Sequence, residues 1–210
     1  MARETILHRV RTALGRSAGQ DPPPAPPARI RIPDVSLEER IQNFRTALEA
    51  LAGHVFVADS PAGALSYVAA LIEGKSAVAS NAPLLAEIGV PSLPGVHAGI
   101  EEREELRRLC ASADFGVTGA DYALADTGSL VMISSKEEAR MISLLPPVHI
   151  ALVRKERLLT SLDELFAVEP VPSARTSSMV IITGPSRTAD IEQMLVRGVH
   201  GPGQVHAIIV

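Results

Sequence analysis

Two hydrophobic periods alternate along most of this chain and predict its elements. From Ser36 the apolar positions Ile41, Phe44, Leu48 and Leu51 recur every three or four residues, the repeat of one helix face. Ser36 with Glu39 three residues on marks the start and Gly53 the end, which predicts a helix with both termini signalled. PAGALSYVAALIEG (61–74), NAPLLAEIG (81–89) and GIEEREELRRLCASA (99–113) predict further helices, as does TADIEQMLVR (188–197), capped by Ser186 or Thr188 and closed by Gly198. The short apolar runs HVFVAD (54–59), KSAVAS (75–80), DFGVTGA (114–120), SLVMISS (129–135), VHIALVR (148–154), MVIIT (179–183) and VHAIIV (205–210) predict strands. Strands separated mainly by helices predict an α/β fold, an open, mostly parallel sheet with helices on both faces. Such sheets bind ligands beyond the carboxyl ends of their strands.

The first 33 residues break this pattern. MARETILHRVRTALGR places Ile6, Leu7, Val10 and Leu14 at helical spacing among basic residues, and prolines at 22, 23, 24, 26 and 27, with Pro33 beyond, predict an extended spacer. The expected organisation is an amphipathic helix and proline-rich linker over 1–33, then one α/β domain over 34–210. The helix either docks on a partner or another copy, giving a homo-oligomer, or packs back on its own domain.

Composition narrows the function classes. Of the 210 residues 46% are hydrophobic but only 3% aromatic, so the core is built from Ala, Val, Leu and Ile. A net charge of -4 offers no basic face for a nucleic-acid backbone. Cys110 is the single cysteine, which excludes a disulfide framework, a four-cysteine zinc site and a self-contained iron-sulfur cluster. Neither a secretory signal core nor an apolar run long enough to span a membrane is present, so a cytoplasmic protein is expected.

Two strand-end turns carry candidate chemistry. TGADYALADTGS (118–129) combines the turn glycines Gly119 and Gly128, the hydroxyls of Thr118, Thr127 and Ser129, and two acids, Asp121 and Asp126. The acids converge only if the chain between them folds them together. Otherwise Asp121 caps a helical ADYALA and Asp126 is a turn residue. GPSRTADIE (184–192) ends a strand at Gly184 and offers Ser186, Arg187 and Thr188 at a predicted helix start, where free N–H groups and a guanidinium suit a carboxylate or phosphate. Asp190 and Glu192 supply competing negative charge there. His200 and Gly201 in GVHGPGQ follow the same predicted helix, whose ten residues would carry the chain about 15 Å away. That expectation places His200 at the opposite edge of the sheet unless the loop folds back. His149, after Pro146 and Pro147 at the start of a buried strand, reads as a structural donor or as an acid-base group. There is no metal-ligand spacing, phosphate-binding loop, dinucleotide fingerprint or nucleophile elbow.

TGADYALADTGSLVM, LLPPVHIALV, ITGPSRTADIE and GVHGP, in this order and spacing, resemble the lactate-utilisation (LUD) domain, in particular the short lactate-utilisation protein C family. The match runs from about Phe115 to the C-terminus, with a looser match through the N-terminal arm. The resemblance implies a fold similar to sugar-phosphate isomerases and CoA transferases. It also implies a subunit of a system oxidising L-lactate to pyruvate, with electron transfer on iron-sulfur partner proteins and no cofactor in this chain. The GAD turn resembles that of ribose-phosphate isomerases, although the spacing to Asp126 is two residues longer. Carried onto this sequence, the motif positions are Thr118, Gly119, Asp121, Asp126, Thr127, Gly128, His149, Gly184, Ser186, Arg187, Asp190, Glu192, His200 and Gly201. Asp126, with Asp121 and His149, is the expected acid-base group, and Arg187, Ser186, Thr188 and Thr127 are expected to bind a small carboxylate or phosphate. The alternatives are a stand-alone isomerase- or transferase-like enzyme on a phosphorylated or CoA-linked small acid, or a non-catalytic ligand-sensing or assembly subunit.

Overall fold

A computed structural model describes residues 2–17, 32–188 and 196–210. The chain divides into two units, 1–31 and 32–210. The first holds the predicted amphipathic helix, α1 (Ala2–Ala13), and the proline-rich stretch lies outside the described residues. The second contains helices α2 (Leu37–Ala50), α3 (Pro61–Leu71), α4 (Pro83–Ile88), α5 (Arg103–Ser112), α6 (Leu162–Val168) and α7 (Pro172–Arg175). Its strands are β1 (His54–Val57), β2 (Ala77–Ala79), β3 (Val96–His97), β4 (Phe115–Gly119), β5 (Tyr122–Leu124), β6 (Ser129–Ile133), β7 (Val148–Val153), β8 (Leu158–Leu159), β9 (Met179–Ile182), β10 (Arg187–Thr188), β11 (Val196–Arg197) and β12 (Gln204–Ile209).

Six strands form the predicted parallel sheet, in the order β1-β12-β7-β4-β2-β3, with every neighbouring pair parallel. Alternation along the strands sends side chains to both faces, and each face is covered. On one, Val117, Ile150, Leu152 and Ile208 pack against Ala64 and Val68 of α3 and Leu85 and Ile88 of α4. On the other, Ala151, Val153, Val205, Ala207 and Ile209 meet Phe44 and Leu48 of α2 and Leu130 and Met132 of β6. Val78 of β2 packs with Leu106 and Cys110 of α5. The signalled start of α2 is real, since Ser36 Oγ accepts the Glu39 N–H at 3.2 Å. Among the described residues no helix is long and apolar enough to cross a membrane.

Three local expectations are corrected. SLVMISS and MVIIT do not join the parallel sheet. They pair with each other, antiparallel, in a second sheet ordered β8-β5-β6-β9. ADYALA is not a helix capped by Asp121, because Tyr122, Ala123 and Leu124 pair with Val131, Leu130 and Ser129 and are buried, a two-sided environment that overrides their helix propensity. TADIEQMLVR is not a continuous helix: Arg187 and Thr188 pair antiparallel with Arg197 and Val196. Paired Cα atoms lie about 5 Å apart, whereas a ten-residue helix would hold them near 15 Å. The hairpin is closed by the Gly198 N–H on Ser186 O at 3.0 Å and the Ser186 N–H on Pro202 O at 2.9 Å. Residues 189–195, with Asp190 and Glu192, lie outside the described residues.

Candidate functional site

The chain leaving β6 crosses back over the parallel sheet to enter β7, and this crossing builds a site. The crossing passes so close to β4 that a Cβ on Gly116 would meet Ile142 O at 2.0 Å; only glycine admits it. The Glu137 carbonyl accepts the Asn81 N–H at 2.8 Å, which fixes the next residue, Glu138, beyond the carboxyl ends of β2 and β4. There a cavity of about 540 Å³ opens, lined by Gly119, Asp121, Tyr122, Glu138, Arg157 and Arg175 among others.

Glu138 is only 7% exposed. Its Oε2 accepts two donors, Ser80 Oγ at 2.8 Å and the Gly119 N–H at 3.0 Å. Its Oε1 is buried and has no hydrogen-bond partner among the described residues. Burial pushes its pKa up to about 8, against the two hydrogen bonds, with the Asp121 charge adding to the rise. Burial therefore favours the neutral acid over the carboxylate at this side chain. Asp121 accepts the Ile133 N–H at 2.8 Å through Oδ2 and pairs through Oδ1 with Arg175 at 3.3 Å. Burial raises its pKa too, opposed first by the Ile133 hydrogen bond and then by Arg175.

The arginines differ in what holds them. Arg154 pairs with Glu87, and Arg175 with Glu169 as well as Asp121. Arg157 donates to the Tyr122 hydroxyl at 3.3 Å and lies 5.2 Å from that ring's centroid. It makes no ion pair among the described residues, so its remaining donors are available for an anion.

The residues expected from sequence fall into separate groups. Gly119 and Asp121 line the cavity. Thr118 and His149 form a fully buried pair, Oγ1 to Nε2 at 2.8 Å, and neither lines the cavity. Burial first, then the charges of Arg140 and His206, depress the His149 pKa to about 3, so this imidazole is neutral and Nδ1 has no partner among the described residues. Asp126 is exposed at the far end of β5 from Asp121. An extended run at about 3.3 Å per residue puts the two acids on the order of 15 Å apart.

Thr127, Gly128, Gly184 and Arg187 gather instead around the end of α2. Ser129 Oγ bridges Thr127 at 2.8 Å and Thr183 at 2.9 Å. Gly128, at φ 65°, abuts the Leu48 backbone, and Gly184 abuts Leu51. Arg187 donates to the Leu51 carbonyl, which serves the negative end of that helix. Ser186 Oγ accepts the His200 N–H at 3.3 Å, and Gly201 stands beside it. His200 thus folds back beside the turn rather than lying at the opposite edge, and Thr188 sits in the hairpin opposite Val196. None of Asp126, Thr127, Ser186 or Arg187 lines the cavity.

Sequence reasoning does not single out Glu138, Ser80, Arg157 or Arg175. Glu138 lies outside the two turns that the sequence marks, and nothing local in SSKEEAR reveals that one of its two glutamates is buried.

The sequence model of the LUD domain matches residues 41–210. The chain belongs to the LUD domain family. This LUD domain is 38% identical over 113 residues to a protein named lactate utilization protein C from Halalkalibacterium halodurans, covering 52% of this chain and 49% of that one. It is 34% identical to the protein of the same name from Oceanobacillus iheyensis, covering 66% of this chain and 64% of that one. The matched region therefore spans from about half to under two-thirds of these relatives. A crystal structure of a DUF162 family protein from Deinococcus radiodurans shares the fold of the LUD domain, with TM-score 0.62 at 19% identity over 84% of this chain and 99% of that one. Among the described residues no cluster of three or more His, Cys, Asp or Glu converges as a metal site. Cys110 is buried, with its thiol pushed up to about 11; one such thiol does not fit an iron-sulfur cluster.

Proposed function

We propose that this LUD domain is a subunit of a cytoplasmic system that oxidises L-lactate to pyruvate, and that its cavity beyond β2 and β4 binds a small carboxylate. The observation that carries the ligand class is Arg157, a cavity-lining guanidinium with no carboxylate partner among the described residues. Its planar, two-pronged donor set matches a carboxylate. The names of the relatives support the link to lactate. Electron transfer belongs to iron-sulfur partner proteins, in keeping with the single buried thiol here.

Calorimetric titration of the purified protein with L-lactate and pyruvate tests the ligand. Arg157→Ala should weaken binding about tenfold or more, the range for a charged hydrogen bond; unchanged affinity removes Arg157 from the site. Deleting the gene should abolish growth on L-lactate, and normal growth in a strain without a second copy removes the metabolic role.

The cavity volume favours a second reading. At about 540 Å³ it falls in the range of roughly 300–1,000 Å³ that holds drug-sized ligands, which suits a phosphorylated or CoA-linked small acid handled by a stand-alone enzyme. Turnover of such a compound by the isolated protein supports this reading, and its absence with partners restoring lactate-dependent dye reduction removes it.

A further inference from the structure

The hydrogen bonds of Glu138 distinguish its two oxygens. Oε2 accepts the Gly119 N–H at 3.0 Å, and the Ser80 hydroxyl at 2.8 Å donates to it whenever the carboxyl proton is on the other oxygen. An acceptor placed at Oε1, the buried oxygen with no partner among the described residues, would draw the acidic proton of the neutral carboxyl to that side. A buried polar atom left unmatched is unfavourable, and Glu138 is among the residues lining the cavity from which a partner for Oε1 can come.

We propose that Glu138 is a ligand-binding residue whose Oε1–H donates to the α-oxygen of a 2-oxo or 2-hydroxy carboxylate. The carboxylate of that ligand lies on Arg157. This assignment rests on the carboxylate reading above and adds to it the residue that reads the α-oxygen. A plain carboxylic acid lacks the acceptor and leaves Oε1 unmatched. The charged groups around Glu138 are Asp121 on the turn after β4, Glu137 beside it on the crossing segment, Arg154 and Arg157 after β7, and Arg175 of α7. Only the acids oppose a negative Glu138, and Asp121 is named among the causes of its raised pKa.

Titration with pyruvate, L-lactate and propionate, which keeps the carboxylate and lacks the α-oxygen, tests this in wild type, Glu138→Gln and Glu138→Ala. At pH 6 wild type should bind pyruvate about tenfold tighter than propionate, the ratio expected for one hydrogen bond to an otherwise unmatched group. In Glu138→Gln the amide oxygen takes the Oε2 donors and the NH₂ stands at Oε1, so binding of pyruvate should stay within a few-fold of wild type. Glu138→Ala should bring pyruvate down to the level of propionate. Raising the pH through about 8 should weaken pyruvate binding to wild type and leave Glu138→Gln unchanged. Equal affinity for pyruvate and propionate in wild type overturns the assignment while leaving the carboxylate reading standing. Failure of all three ligands to bind overturns both. If Glu138→Ala does not fold, the wild-type ligand ratio and the pH response of Glu138→Gln still decide.

Discussion

The strand β5 joins two regions built from the same kinds of residue. At its start, beyond β4, lie a glycine, the acid Asp121 and several arginines; at its end lie a glycine turn, the acid Asp126, the hydroxyls of Thr127 and Ser129, and Arg187 nearby on the end of α2. The far region matches most of its polar groups internally: Ser129 bridges Thr127 and Thr183, Ser186 holds the loop of His200, and Arg187 takes a helix carbonyl, with the buried Thr160 hydroxyl beside Asp126 as the exception. The near region holds a buried carboxyl with one oxygen unmatched, and an arginine without an acidic partner among the described residues. Residue type alone does not separate a site from a well-made turn. What separates them is whether the fold has already used the valences that a ligand would need.

The harshest way to break each region is a single methyl group. In Gly116→Ala the new Cβ would sit 2.0 Å from Ile142 O, and in Gly128→Ala 2.4 Å from the Leu48 nitrogen at a positive φ. Both contacts are with backbone, which cannot step aside as a flexible side chain would. Each substitution should destabilise by about 4 kcal/mol or more, in the tail reserved for overpacking and backbone strain. Urea unfolding midpoints check this, and a wild-type midpoint in either variant would mean that the two backbones are further apart. The first variant should disturb the cavity through the crossing segment. The second should leave ligand affinity intact in whatever fraction folds.

A gentler probe is pH. Glu138 holds its proton up to about 8 when folded, against 4.5 as its ordinary value, so between these values the native state binds one more proton than the unfolded chain. Stability then falls as pH rises. His149 and His206 act in the opposite sense, since burial lowers them to about 3 and about 4 from 6.5. Below 6.5 the unfolded chain binds those protons and the native state does not, so stability falls on acidification. The two histidines outweigh the one glutamate below 6.5, and above it the glutamate acts alone. Stability should peak near pH 6.5 and decline by about 2 kcal/mol by pH 8, at roughly 1.4 kcal/mol per pH unit. Glu138→Gln should remove the alkaline decline and keep the acid one. An identical profile in wild type and variant would show that Glu138 is ionised in the native state.

These contrasts also mark what the sequence could reveal. The parallel strands were legible because burial on both faces selects unbroken runs such as VHIALV and VHAIIV, and α2 because Ser36 and the Phe44 and Leu48 stripe signal it locally. TADIEQMLVR misleads because its periodicity is helical, while the cross-strand pairing of Arg187 with Arg197 is not encoded within it. Among the site residues, Gly119 and Asp121 are marked by their place at a strand end. Glu138 stayed hidden because its burial arises from Ser80 and Gly119, 58 and 19 positions away in the chain. A glutamate next to another glutamate carries no local mark of which one faces inward.

The smallest expected effect sharpens the comparison most directly, because it sets one arginine against another. Arg187 is anchored to the Leu51 carbonyl at the end of α2, so Arg187→Ala should lower stability by about 1 kcal/mol, the scale of a cation at a helix C-terminus. It should not change carboxylate affinity. Arg157→Ala should show the reverse, an exposed side chain whose removal shifts stability by less than about 0.5 kcal/mol while weakening the ligand. Thermal melts and calorimetry on the two variants in parallel read both quantities. Loss of ligand binding in Arg187→Ala with Arg157→Ala unaffected would move the site to the far end of β5, to the turn that the fold otherwise uses to close α2.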